Sequence, residues 1–162
     1  MTMWYAALLS VLLALVSPSA RAFCFEAAGE KYHIDPLLLL AIAKGESSLN
    51  PAAVNINRDK VTRREVSRDY GLMQVNSTNL PGLIKQGIIS RPDDLLTRPC
   101  LNVQIGTWIL ARHFQVCGIS WNCLGSYNAG FRLDRHESRE SYANRIYAIY
   151  RQLLRERRGI VL

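Results

Sequence analysis

The chain is 162 residues long, with 49% hydrophobic residues and a formal net charge of +7. That is about one domain's worth, enough to bury a real core without metal or many disulfides, and no linker, repeat or low-complexity tract interrupts it. The basic excess fits either a polyanionic partner such as a cell-wall polymer or membrane surface, or, as the preferred reading, a solvated helix face; nucleic acid is disfavoured because no recognition motif is present.

Residues 1–22 read as a secretory signal, with an apolar run from Trp4 to Val16, a Ser17-Pro18 break and a small-x-small site at Ala20-Arg21-Ala22. Removal after Ala22 leaves residues 23–162 as one domain and, with Arg21 gone, a charge of +6 in place of +7. The segment before the apolar run has no cationic side chain, so an uncleaved anchor is the alternative.

The pattern that follows is mainly helical. A first helix is expected from Phe23 to His33. Asp35-Pro36 then starts a second, because the Asp oxygen accepts from a free backbone N–H and Pro at the first helical position loses no bond. This helix, Pro36 to Ser47, is almost wholly apolar, yet its last turn carries Glu46. Apolar flanks and the negative end of the helix dipole both disfavour a carboxylate there. A proton held near neutral pH is what a general acid needs, which marks Glu46 as a candidate catalytic residue against the plainer reading of a frayed helix end.

From Asn50-Pro51 to Asn76 the texture changes to loop and short strand, with a charged stretch from Lys60 to Arg68 expected at an exposed hairpin tip. Leu101 to Cys117 reads as a third helix stopped by Gly118, and Ser138 or a near neighbour caps a last one. Its stripe is Tyr142, Ile146, Ile149, Leu153 and Leu154, with arginines opposite.

Cys24, Cys100, Cys117 and Cys123 all follow the export signal, and an even count in an oxidising compartment points to two disulfides. Three connectivities are open; the preferred one joins Cys24 to Cys100 and Cys117 to Cys123. A zinc site from His113, Cys117 and Cys123 has three ligands at the wrong spacing. His33, His113 and His136 show no partner at useful spacing, so neither a Ser/His nucleophile nor a metal site is expected, and no cofactor.

Four short blocks remain: Glu46-Ser47, Gly71-Leu72-Met73-Gln74, Ser126-Tyr127-Asn128-Ala129-Gly130, and Tyr142. In this order, on a mostly helical chain of this size, they resemble the soluble lytic transglycosylase family, lysozyme-like enzymes that cleave peptidoglycan. The resemblance runs from Cys24 to about Tyr150. It is strongest to the small specialised members that accompany type III secretion, type IV pili or conjugation machinery, which share the pattern around Cys24, Pro36-Leu37-Leu38 and Pro99-Cys100.

The resemblance implies a mainly α, α+β lysozyme-like fold: a single helical domain with a short β/loop segment flanking the active-site cleft. It further implies a periplasmic enzyme, expected to be a monomer, that cleaves the β-1,4 bond between N-acetylmuramic acid and N-acetylglucosamine with formation of a 1,6-anhydro sugar. Components of the assembly served are the implied protein partners. Glu46 would be the acid/base and Tyr142 the tyrosine that donates to it, with Tyr147 the substitute one turn on. Ser47 would hold an acetamido group or, on the plainer reading, bond a free helix carbonyl. Gly71 would let the backbone approach a ligand, Met73 and Gln74 would line the cleft floor, and Tyr127 and Asn128 its wall; core filling is the alternative for Met73.

Asp69 stands immediately before Tyr70-Gly71, where hydrolytic lysozymes keep a second carboxylate. It is a candidate for stabilising oxocarbenium-like charge or positioning water, against the reading of a turn Asp that bonds backbone N–H groups. Two rivals to the transglycosylase reading follow: a muramidase using Glu46 and Asp69 with water, and a non-catalytic peptidoglycan-binding assembly factor.

Overall fold

A computed structural model describes residues 24–157. The signal-segment reading of residues 1–22 lies outside the described residues. Among the described residues, no helix is long and apolar enough to cross a membrane.

Helix α1 spans Phe25–Tyr32. It is shorter than expected at both edges because Cys24 and His33 adopt left-handed backbone conformations that end helical bonding. Helix α2 spans Pro36–Ser47; the Leu37 amide donates to the Asp35 carboxylate at 2.8 Å, and left-handed Ser48 stops the helix. Leu39, Ala41, Ile42 and Ala43 are buried, which accounts for the apolar run.

Three antiparallel strands follow, β1 (Val54–Arg58), β2 (Glu65–Tyr70) and β3 (Val75–Asn76), in the order β1-β2-β3. The hairpin tip is 59–64, so the Glu65 to Arg68 part of the expected tip is strand. Asp59 builds that tip by accepting from the Val61 and Thr62 amides.

Helices α3 (Leu80–Lys85) and α4 (Asp94–Thr97) lead into the long central α5 (Pro99–Cys117). Two single-turn helices come next, α6 (Trp121–Leu124) and α7 (Ser126–Ala129). Helix α8 (His136–Arg157) closes the fold, starting two residues before Ser138 because a 3₁₀ turn at Leu133–Arg135 runs straight into it. The architecture is mainly helical with a small sheet, as expected.

The core gathers α2, α5, α8 and the segment between β2 and β3, with Leu39, Ile42, Leu72, Met73, Leu110 and Ile146 fully buried. Helices α2 and α8 run antiparallel: Tyr150 donates to Asp35 at the start of α2, and Tyr142 reaches Glu46 at its end. They approach closely at Gly45, where a Cβ would sit 2.6 Å from the Ile146 side chain. A residue with a side chain at Gly45 would have to displace the ends of the Ile146 and Arg145 side chains.

Disulfides join Cys24 to Cys100 and Cys117 to Cys123. The first closes a 76-residue separation, worth about 4 kcal/mol in the chain-entropy picture, and pins α1 to the start of α5.

Candidate active site

A cleft of about 310 Å³ opens between the sheet and the helices, lined by Glu46, Asn57, Ser67, Asp69, Gln74, Val75, Asn76, Asn79, Ile109, Tyr127 and Asn128. Glu46 enters it from the last turn of α2, half-buried. Burial raises its carboxyl above the usual range of a glutamate; the Tyr142 hydrogen bond and the Arg145 charge oppose that rise, and the charge of Asp69 adds to it.

The tyrosine that reaches Glu46 is Tyr142, whose hydroxyl donates to Oε1 at 2.6 Å. Tyr147 instead packs edge-on against Trp121, with ring centroids 4.8 Å apart. Tyr142 is buried, and its own ionisation is pushed well up by burial and by Glu46, so it stays a donor. Arg145 lies over the Tyr142 ring, 5.0 Å from its centroid, and donates to the Gly45 carbonyl at 2.6 Å. That bond satisfies one of the carbonyls left open at the end of α2.

Facing the cleft from the sheet is Asp69, on β2. Strand alternation and the pairings Asn55↔Asp69, Asn57↔Ser67 and Asp69↔Asn76 put Asn55, Asn57, Ser67, Asp69 and Asn76 on one face. Asn57 donates to Asp69 Oδ2 at 2.7 Å, Asn76 to Oδ1 at 2.6 Å, and Asn55 to Oδ2 at 3.4 Å. Asp69 is therefore not a turn residue bonded to backbone amides. It is a strand residue held from both flanking strands by amide donors.

Three expected contact residues lie behind the cleft wall. Gly71 is buried with φ +74, and a Cβ there would meet the Asn102 amide at 2.3 Å and the Leu95 carbonyl at 2.6 Å, so its lack of a side chain serves internal packing and not ligand approach. Met73 is fully buried, and only its carbonyl takes part, accepting from the Tyr127 hydroxyl at 2.8 Å. The Ser47 hydroxyl lies 3.0 Å from both the Ala43 and Leu72 carbonyls; its single proton bonds one of them at a time and ties α2 to the loop after β2. Gln74 does line the cleft, its amide anchored to the Gly71 carbonyl at 2.8 Å, as do Tyr127 and Asn128.

Residue 113 departs from expectation. His113 Nδ1 lies 2.7 Å from Ser126 Oγ, bringing a Ser and a His together, and burial lowers the imidazole's proton affinity. Ser126 is buried and donates to the Cys123 carbonyl at 2.6 Å, so this hydroxyl braces α7 and is no nucleophile. Among the described residues, no group of three or more His, Cys, Asp or Glu could hold a metal ion.

The family profile described as "Transglycosylase SLT domain" matches residues 23–150. The chain belongs to this family. With the family goes its activity class, peptidoglycan lytic transglycosylase, and an extracytoplasmic place of work. The chain is 48% identical over 145 residues to a "Peptidoglycan-binding-like protein" of Escherichia coli O157:H7, covering 90% of this chain and 86% of that one. It is 39% identical to the "Invasion protein IagB" of Salmonella typhi, covering 83% of this chain and 79% of that one. In fold it matches the lytic transglycosylase Slt of Pseudomonas aeruginosa, solved as the inactive mutant E503Q, with a TM-score of 0.58 at 16% identity. That match covers 90% of this chain but a quarter, 25%, of the larger chain.

Sequence reading missed the amide partners of Asp69 and the clamp at Asn102. Alternation in Val54-Asn55-Ile56-Asn57 was a signal for the first; a lone Asn inside the apolar run Leu101-Asn102-Val103 was a signal for the second.

Tyr142→Phe tests the donor to Glu46. Removing a bond that favours the carboxylate raises the Glu46 pKa further, so the alkaline limb of the pH–rate profile is expected to move to higher pH while kcat falls about tenfold through lost orientation. An unmoved limb would show that the hydroxyl does not act on the acid.

Proposed function

We propose that Glu46 is the single acid/base for cleavage of the β-1,4 bond between N-acetylmuramic acid and N-acetylglucosamine. The observation that carries this reading is a half-buried carboxyl, raised by burial, at the wall of a polar cleft with a tyrosine hydroxyl 2.6 Å from Oε1. Glu46 gives its proton to the glycosidic oxygen as the C1–O bond breaks and positive charge develops on the muramyl ring. As carboxylate it then takes the proton of that sugar's own 6-hydroxyl, whose oxygen attacks C1 to form the 1,6-anhydro product. Asp69, oriented by Asn57 and Asn76, supplies negative potential to the ring while the charge exists.

The experiment is digestion of peptidoglycan with mass spectrometry of the fragments. Anhydro-muropeptides support the reading, and reducing ends alone overturn it in favour of a muramidase. That second reading has a specific observation behind it, the anchored carboxylate of Asp69, which could position water instead. Asp69→Asn is expected to lower turnover about tenfold with the anhydro product retained. Unchanged turnover would remove Asp69 from the chemistry.

The proposal extends to a signal segment at 1–22, a domain over 23–162, a periplasmic location and local opening of the wall for a secretion, pilus or conjugation apparatus. The relative named as an invasion protein supports the last of these. Loss of assembly on deleting the gene, restored by the wild type and not by Glu46→Gln, is the corresponding result; restoration by that variant would favour a non-catalytic peptidoglycan-binding assembly factor.

A further inference from the structure

One arginine of α8 touches both supports of Glu46. Tyr142 and Arg145 stand three positions apart on this helix, so their side chains share a face. The Arg145 guanidinium lies over the Tyr142 ring, 5.0 Å from its centroid, and the hydroxyl of that ring donates to Glu46 Oε1 at 2.6 Å. The same guanidinium donates through a terminal nitrogen to the Gly45 carbonyl at 2.6 Å. That carbonyl belongs to the peptide unit joining Gly45 to Glu46. Arg145 therefore bears on Glu46 from two directions, on its backbone through the peptide unit and on its carboxyl through the tyrosine.

Gly45 is part of the same arrangement. A Cβ there would lie 3.0 Å from the Arg145 nitrogen, so the missing side chain leaves the room in which the guanidinium reaches the carbonyl. The core does not depend on this contact: Arg145 is exposed, and Tyr142, Ala143 and Ile146 are the buried residues of α8.

We propose that Arg145 is a positioning residue for Glu46: by gripping the Gly45 carbonyl and the Tyr142 ring together, it fixes the end of α2 on α8 and holds the Tyr142 to Glu46 bond in register. The proposal rests on the reading of Glu46 as the acid/base. Arg145 does not line the cleft, so it acts through these two residues. The titratable and charged groups that interact with the Glu46 carboxyl are Tyr142 and Arg145 from α8, Asp69 from β2 and Tyr127 from α7. Asp69 disfavours the anion, whereas Tyr142 and Arg145 favour it, the arginine weakly because solvent screens an exposed charge. Most of its influence is therefore carried by geometry.

The test is Arg145→Met, which keeps the stem and removes the guanidinium, read by kcat and KM on peptidoglycan strands across pH and by carbon-13 titration of the Glu46 carboxyl. A fall in kcat of about fivefold with KM unchanged is expected, the size of a lost orientation. The alkaline limb and the carboxyl titration should both move to higher pH, because two contacts that favour the carboxylate are weakened. Arg145→Lys, which restores the charge and a donor, should return the limb and most of the lost kcat. Combined with Tyr142→Phe, the losses should be non-additive, since both changes disturb one hydrogen bond. Wild-type kcat and titration in Arg145→Met would overturn the proposal. So would a loss that multiplies fully with that of Tyr142→Phe, or one that comes with an unmoved limb and a lowered thermal midpoint, the mark of plain structural damage. Full activity in Glu46→Gln would remove the acid/base reading and the proposal with it; an inactive Glu46→Gln beside an unaffected Arg145→Met would remove the positioning role alone.

Discussion

Glu46→Gln is expected to cut peptidoglycan turnover by a factor of about 10² to 10⁴, the range a positioned general acid supplies, while leaving the fold intact. The amide oxygen of Gln can still accept from Tyr142, and the side chain occupies the same space at the end of α2. What disappears is the exchangeable proton. The stability effect has a definite sign. The Glu46 carboxyl is raised in the folded state, so its favourable contribution is present below the unfolded-state pKa and is lost as pH rises through the folded one. Above that, the wild type carries a desolvated charge that Gln does not. The variant's thermal midpoint should therefore equal or exceed that of the wild type at alkaline pH, and gain least in acid. A drop in midpoint with the lost activity would point to structural damage and weaken the assignment of Glu46 as the acid.

Asn102→Leu should produce the opposite pattern, large destabilisation at a residue that touches no substrate. Asn102 is fully buried in the first turn of α5. Its Oδ1 accepts from the Met73 amide at 2.8 Å, and its Nδ2 donates to the Tyr70 carbonyl at 2.7 Å and the Leu95 carbonyl at 3.1 Å. Leucine fills a similar volume and strands all three backbone groups. At roughly 1–3 kcal/mol for each buried group left without a partner, the loss is about 3 kcal/mol or more, a fall of roughly 10 °C in thermal midpoint. Activity should fall as well, because the segment it clamps carries Gln74 and, through the Met73 carbonyl, the Tyr127 wall. Calorimetry on the purified variant checks this; a midpoint within about 2 °C of wild type would mean that the loop is held by other bonds.

Helix α2 was legible because each of its signals is local: the Asp35-Pro36 start, the apolar run and the carboxylate at its end sit within a dozen residues. The Gly71 to Gln74 segment was legible as a motif but not as a geometry. Which side of a loop faces ligand depends on what packs behind it, and Asn102 and Leu95 are 31 and 24 positions away from Gly71 in the chain. The amides around Asp69 likewise require strand register, set by a hairpin whose turn the charged stretch concealed. Helices α4, α6 and α7 have four residues each, too few to show a helical period. His113 and Ser126 meet because α6 and α7 fold back on α5, a step that spacing alone does not reveal.

The Cys24–Cys100 link gives the enzyme a sense of timing. Domains of this size hold a total margin of about 5–15 kcal/mol, and this one closure accounts for about 4 of them. It pins the start of α5 two residues before Asn102, and hence the mounting of the loop that backs the cleft. A copy still at its site of synthesis, with both thiols reduced, lacks that share of its margin and the tether beside its clamp. The lytic hazard to the producing cell is thus smallest while the thiols stay reduced, and the fold reaches full firmness only once that bond has closed.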